Sequence, residues 1–268
     1  MTFGPNAARM WTSIGQDDRR APMAPRDNGD RVAALPDALL ALATPRSLGS
    51  GASLLEERGS VDKLYLLVSG WACRYATTRD GSRQILAILL PGDFCNLDGL
   101  ALGQVDYGVR ALTQMTALSI PRQQALAMAA ENPALMNTLF NRLAAENALL
   151  GRWALCLGRK SATARLAHLL CELGVRVAEH PNSETVQYHL PLTQEQIADV
   201  LGLTAVHVNR TLQQLRSRGL VEMRGRVVSI PSVIALAEVG EFGRSYLHEQ
   251  EVDWLGRSVS NRGSSFGA

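Results

Sequence analysis

Between Leu192 and Ile230 polar and apolar residues alternate at a spacing that admits few folds. Thr193 and Gln196 form the Ser/Thr-x-x-Glu/Gln pattern of a capping box, so a helix is predicted to start there, with Ile197, Ala198 and Leu201 on its buried face. Gly202 ends it, because a turn between helices needs a residue that adopts positive φ without steric cost. Thr204 then caps a second helix by accepting from a free backbone amide. Val208, Leu212 and Leu215 recur at helical spacing and are expected to point inward. That leaves Ala205, Val206, His207, Asn209, Arg210 and Gln213 on the outer faces. Two helices joined by a tight turn, the second presenting polar and basic residues, is the helix-turn-helix layout that places a helix in the DNA major groove.

The residues that follow extend this basic character. Arg216 to Ile230 reads as two short apolar strands around the turn Arg224-Gly225-Arg226, the pattern of a small β-wing. Any one of these arginines is as readily a solvated surface charge, yet from 204 to 226 there are five arginines and one acid, Glu222. Such a cluster is the footprint of phosphate contacts whose affinity falls steeply with salt. Residues 1–151 hold 14 Lys/Arg and 14 Asp/Glu, whereas 152–230 hold 10 against 6, so a net charge of +2 conceals a neutral front half and a basic reader.

A chain of 268 residues that is 46% hydrophobic is long enough for two domains, each with a core. No run approaches the roughly 18 uninterrupted apolar residues of a membrane span, and the N-terminus lacks the apolar core of a signal peptide. A cytoplasmic location away from the membrane is therefore expected. Cys73, Cys95, Cys156 and Cys171 show no Cys-x-x-Cys spacing and are expected to be reduced thiols rather than disulfides.

Residues 1–30 are rich in Pro, Arg, Asp, Asn and Gly and are expected to form a disordered arm. A short helix is suggested from Leu35. Short apolar runs with Gly-containing turns follow: Leu64–Val68, Trp71–Tyr75, Gln84–Leu90, Arg110–Thr113 and Ala117–Pro121 predict a β-rich sensor domain over 31–130, a small barrel or roll. From Pro133 the period becomes helical. Met136, Leu139, Leu143, Glu146, Leu150, Trp153 and Leu157 stand alternately three and four apart, the seam of a coiled coil, so a dimerisation helix over 131–158 is predicted. Packing of that helix on its own β domain is the alternative, and Glu146 is the polar residue that would set register. Gly158-Arg159-Lys160 reads as a hinge into a DNA-binding domain over 159–240, and 241–268 as a C-terminal extension. His168 and Cys171 lie one turn apart, but two isolated ligands hold a metal weakly, so packing is the expectation and neither metal nor cofactor is predicted.

The order of parts resembles the Crp/Fnr family of bacterial transcription regulators from residue 35 to residue 250. The match is carried by Leu64–Gly70, Asp80–Ile85, Leu90–Asp93, Arg159 with Ala162 and Arg165–Ala167, and above all Thr193–Gly219. The resemblance implies an α+β fold with an N-terminal cyclic-nucleotide-binding-like β-roll, a long dimerisation helix and a C-terminal winged helix-turn-helix. It also implies a homodimer that binds double-stranded DNA at a roughly palindromic site and recruits or blocks RNA polymerase. Arg210 matches the family arginine that contacts a base, and bidentate arginine to guanine is the commonest specific contact. Many members carry glutamate where Val206 stands; valine offers at most a methyl contact to thymine, and Ala205 is silent. The operator is thus expected to differ from that of the cyclic-AMP receptor. His207 and Asn209 contact phosphate or bases, or merely solvate the helix. Thr193, Thr204, Gln213, Arg224 and Arg226 complete the expected DNA-binding set.

In cyclic-AMP-binding relatives a Gly-Glu opens the phosphate-binding cassette and an arginine near its end pairs with the cyclic phosphate. Here Gly92-Asp93 opens it, Gln104–Gly108 contains no arginine, and Asp106 would repel a phosphate. The candidate effector pocket comprises Gly92, Asp93, Phe94, Asp106, Tyr107 and Arg110, the last matching a family position better explained as structural. Phe94, Leu97, Leu100, Leu102 and Tyr107 either fill this pocket or line an apolar ligand site. The effector is expected to be absent or not cyclic AMP, a cyclic nucleotide or other small ligand being the alternative. Iron–sulfur relatives use N-terminal cysteines, and none precedes Cys73; all five histidines (His168, His180, His189, His207, His248) follow the long helix, against a haem ligand in the β domain. Cys156 and Cys171 flank the hinge and leave thiol redox control as another alternative. A front half without His, P-loop or Gly-x-Ser-x-Gly motif argues against an enzyme.

Overall fold

The computed structural model describes residues 37–178 and 183–247; the arm expected over 1–30, the extension beyond residue 247, His180 and His248 lie outside the described residues. A short helix α1 (Asp37–Leu40) leads into β1 (Thr44–Leu48), β2 (Ser53–Leu55), β3 (Lys63–Ser69), β4 (Ala72–Thr77) and β5 (Arg83–Leu89). Helix α2 (Leu97–Leu102) separates these from β6 (Gly108–Ala111) and β7 (Met115–Pro121). The strands form two antiparallel sheets, ordered β1-β7-β3 and β2-β6-β4-β5. The β3–β4 turn closes on Gly70, at φ 78°, where a Cβ would stand 2.2 Å from the carbonyl oxygen of Gln114, so only glycine fits.

Strand alternation divides the core. Along β3, Leu64 and Leu66 pack with Leu39, Phe94, Leu135 and Leu139, whereas Tyr65 and Leu67 pack with Val109, Met115 and Ala117 between the sheets. Along β4, Ala72 points into the roll, while Cys73 and Tyr75 join an outer cluster with Trp153, Leu166 and Leu201. The outer face of the four-stranded sheet is thus the bed on which the C-terminal half rests.

After α3 (Arg122–Glu131) comes the long helix α4 (Pro133–Arg159), started by Pro133 and by Asn132, whose side chain accepts from the Leu135 amide. Ser161 caps α5 (Ala162–Val177) in the same way through Ala164. There follow β8 (Val186–His189), α6 (Gln194–Leu201), α7 (Ala205–Ser217), β9 (Glu222–Arg224), β10 (Val227–Ile230), α8 (Val233–Gly240) and a 3₁₀ turn over Ser245–Leu247. The wing is a three-stranded antiparallel sheet, β8-β10-β9, to which β8 adds a strand that local pattern did not reveal.

A buried polar network joins α4, α5 and the 3₁₀ turn. Lys160 Nζ donates to the carbonyl oxygens of Gly240 (2.6 Å) and Glu241 (2.9 Å) and to His168 Nδ1 (3.1 Å). A neutral imidazole with its proton on Nε2 satisfies the rest: Nε2 lies 3.0 Å from the Tyr246 hydroxyl, which donates to Glu172 at 2.9 Å. Trp153 Nε1 donates to the same carboxylate (3.0 Å), and Arg176 lies 3.5 Å from Glu172 and 2.8 Å from Asp93 in the roll. Burial, and secondarily the Lys160 charge, pushes the His168 pKa down to about 3. Burial holds the Glu172 carboxyl above its usual range, opposed by Arg176. Both ring nitrogens of His168 are therefore engaged by the network rather than turned toward Cys171.

Candidate nucleic-acid interface

The reader is set by local bonds. Thr193 Oγ1 accepts from the Gln196 amide (3.1 Å) and the Gln196 side chain accepts from the Thr193 amide (2.8 Å), closing the capping box at the start of α6. Gly202 takes the left-handed conformation (φ 61°, ψ 43°), and its amide and that of Leu203 both donate to the Ala198 carbonyl. Thr204 then starts α7 by accepting from the His207 amide at 3.2 Å. Val208, Thr211, Leu212 and Leu215 are buried and anchor α7 in the core.

That anchoring fixes what faces outward. Val206, Asn209, Arg210 and Gln213 are exposed along one side of α7, Ala205 and His207 are half-buried beside them, and Thr193 and Thr204 are exposed with their hydroxyls engaged as caps. Gln214 is exposed too, but its Oε1 accepts from the Thr163 hydroxyl of α5 at 3.3 Å. Arg224 and Arg226 flank Gly225 at the tip of the wing and are exposed, as are Arg216 and Arg218 at the end of α7. The contact of Arg224 with Glu222, 3.9 Å between two exposed groups, leaves the arginine available to a phosphate.

The long helix requires a correction. Leu139 and Trp153 are buried within their own chain, and Glu146 is bound to Arg74 at 2.8 Å, so these three do not form an outward seam. Met136 (44% exposed) and Leu150 (43%) face out, Leu143 and Leu157 are half-buried, and Phe140 (67%), Asn147 and Ala154 share their side of the helix. The outward stripe therefore runs Met136, Phe140, Leu143, Asn147, Leu150, Ala154, Leu157, again spaced four and three apart.

Of the candidate effector residues, Asp93 and Phe94 line one cleft and Gly92 borders it, whereas Asp106, Tyr107 and Arg110 lie elsewhere. The centre of the roll is occupied by Arg74, whose Nε and Nη2 donate to the carbonyls of Cys95 and Phe94, both at 2.8 Å, while Nη1 pairs with Glu146 of α4. Its guanidinium lies over the Tyr107 ring, whose hydroxyl donates to Asp98. Phe94, Leu97, Leu100 and Tyr107 are buried, but Leu102 is 70% exposed. Asp106 faces solvent, Arg110 stacks on Tyr75 on the outer face, Asp93 pairs with Arg176, and the Gly92 carbonyl accepts from Arg142. What remains is a cleft of about 320 Å³ between β5, α4 and the 3₁₀ turn, with Arg74, Arg142 and Arg176 on its walls.

Two contacts that sequence reasoning missed join the roll directly to the reader. Arg83 Nε and Nη2 donate to Asp199 of α6 at 2.8 and 2.5 Å, and Gln84 Nε2 donates to the Val200 carbonyl at 3.0 Å. The cysteines bear on the redox alternative. All four are buried, and burial pushes the thiol pKa up to about 11 at Cys73 and about 12 at Cys95 and Cys171, and upward at Cys156. A protonated, enclosed thiol is a poor target for oxidants. No helix among the described residues is long and apolar enough to cross a membrane.

Residues 45–132 match the cyclic nucleotide-binding domain and residues 164–239 the Crp-like helix-turn-helix domain. The transcriptional activator protein FnrL of Cereibacter sphaeroides is 31% identical over 184 residues, 68% of this chain and 73% of FnrL. The chain belongs to the Crp/Fnr family of transcription regulators. This Crp/Fnr regulator is also 28% identical to the nitrogen fixation regulation protein FixK of Azorhizobium caulinodans over 222 residues, 82% of this chain and 88% of FixK. The solved structure of FixK2 from Bradyrhizobium japonicum aligns with a TM-score of 0.67 and 28% identity, covering 74% of this chain and 96% of that one. A CooA mutant from Carboxydothermus hydrogenoformans shares the fold at 20% identity and a TM-score of 0.66, over 82% of this chain and 98% of that one.

Proposed function

We propose that this DNA-binding regulator acts in the cytoplasm as a homodimer, joined along the outward stripe of α4, that reads a near-palindromic site with α7 and there recruits or blocks RNA polymerase. The observation that carries this reading is the outer side of α7, where Asn209 and Arg210 stand exposed beside Val206 on a helix held by four buried anchors. Arginine to guanine O6/N7 and asparagine to adenine N6/N7 are matched donor and acceptor pairs, and the wing arginines supply phosphate contacts. Two copies related by a two-fold axis present two such helices to half-sites about one DNA turn apart.

The regulator is proposed to work without cyclic AMP. Arg74 and Tyr107 occupy the interior of the roll, all three donating faces of the guanidinium are engaged, and Asp106 lies at the surface. The test is selection from random duplexes by the purified, reduced protein, with and without cyclic AMP. Enrichment of one two-fold symmetric site under both conditions is expected. Enrichment only with the nucleotide would refute ligand independence, and no enrichment under either condition would refute sequence-specific reading by the unliganded protein.

A further inference from the structure

Val206, the second residue of α7, is 81% exposed, more open than any other exposed large apolar side chain of the described residues. Met136, Phe140 and Leu150 lie on the α4 stripe, whereas Val206 lies on the face that carries Asn209 and Arg210. A β-branched residue in a helix has one strongly preferred χ1 rotamer, so its two methyl groups are already fixed before DNA arrives and little side-chain entropy is lost on contact. Arg210 follows Val206 by four residues, which puts their Cβ atoms about 5–6 Å apart on one face. That distance corresponds to at most about two base steps of 3.4 Å.

In the major groove only a thymine offers a methyl group, and valine, with no donor or acceptor for the O4 of thymine or the N4 of cytosine, can tell the two apart only by packing on that methyl. We infer that Val206 is a specificity-determining residue that packs on the 5-methyl of a thymine, within two base pairs of the guanine read by Arg210, in each half-site. This rests on the proposed reading of DNA by α7 and adds to it the chemical group that α7 recognises beside the guanine.

The experiment uses the full chain and its selected duplex, with each thymine replaced in turn by deoxyuridine, which removes the methyl and leaves every hydrogen-bonding group. For the native protein, one symmetric pair of thymines within two base pairs of a guanine should lose affinity on this replacement. The loss should be about fourfold per half-site, as for exposing one buried methyl group. For Val206→Ala the same replacement should have no effect at that pair while binding to the rest of the site persists. A selected site without thymine there, or deoxyuridine effects equal in the native protein and Val206→Ala, overturns the inference although DNA reading stands. Failure to select any site overturns both.

Discussion

Arg210 and Arg224 are both exposed arginines of the reader, and the proposed reading gives them different partners, a base for one and phosphate for the other. Arg210 sits mid-face on α7, so Arg210→Ala should cost about 1–3 kcal/mol per half-site and relax preference at the guanine. Arg224 lies at the wing tip, and Arg224→Ala should weaken all duplexes alike and reduce the salt slope by about one per protomer. Competition binding at several salt concentrations separates the two. The thiols give a second prediction at this scale. With all four enclosed and their pKa values raised, little thiolate exists at neutral pH, so the native protein should react with a disulfide reagent at pH 8 far more slowly than after unfolding. Fast reaction at Cys156 in the native state would restore redox control as a contender. Arg74 was the residue hardest to foresee. It falls in a strand on the same side as the inward Ala72, a breach of apolar alternation whose meaning appears only when Glu146 arrives from α4.

Helices α6 and α7 were legible because their signals are local: a capping box, a left-handed glycine and a threonine cap each act within four residues. Helix α4 was legible as a helix but not in its orientation. Its three-and-four spacing fits two registers that share Met136, Leu143, Leu150 and Leu157, and only docking on the roll decides between Leu139, Glu146, Trp153 and Phe140, Asn147, Ala154. Mutation distinguishes the faces. Phe140→Glu or Leu150→Glu should shift sedimentation from dimer to monomer while the monomer keeps its thermal transition. Leu139→Ala should instead lower fold stability by about 2–5 kcal/mol through the cavity it leaves. The short elements β1, β2 and β8 carried no comparable signal, since three to five residues give too few repeats for a period to show.

At the scale of the whole molecule, pH reports on the joint between its halves. His168 has a pKa near 3 in the folded chain against 6.5 when unfolded, so between those values the unfolded state holds more protons and stability falls as pH drops below 6.5. Glu172, raised by burial, works in the opposite sense, which makes a single-site comparison necessary. The stability advantage of the native protein over His168→Gln should therefore shrink by about 2 kcal/mol between pH 7 and pH 5, read from denaturant midpoints. An unchanged difference would mean that the imidazole does not resist protonation in the fold. Within this network only His168, Glu172 and Arg176, one turn apart on α5, share a spacing that sequence can show; Asp93 and Tyr246 are far from them along the chain and meet them only when both halves are packed.

Tyr246 and the carbonyls of Gly240 and Glu241, which complete the joint, come after every helix and strand that they help to fix. During synthesis the roll, the long helix and the reader all leave the ribosome before the tyrosine that ties them together. The roll, the long helix and the recognition helix can thus all be formed, and the Arg83–Asp199 pair between roll and reader closed, before the joint at Tyr246 is complete.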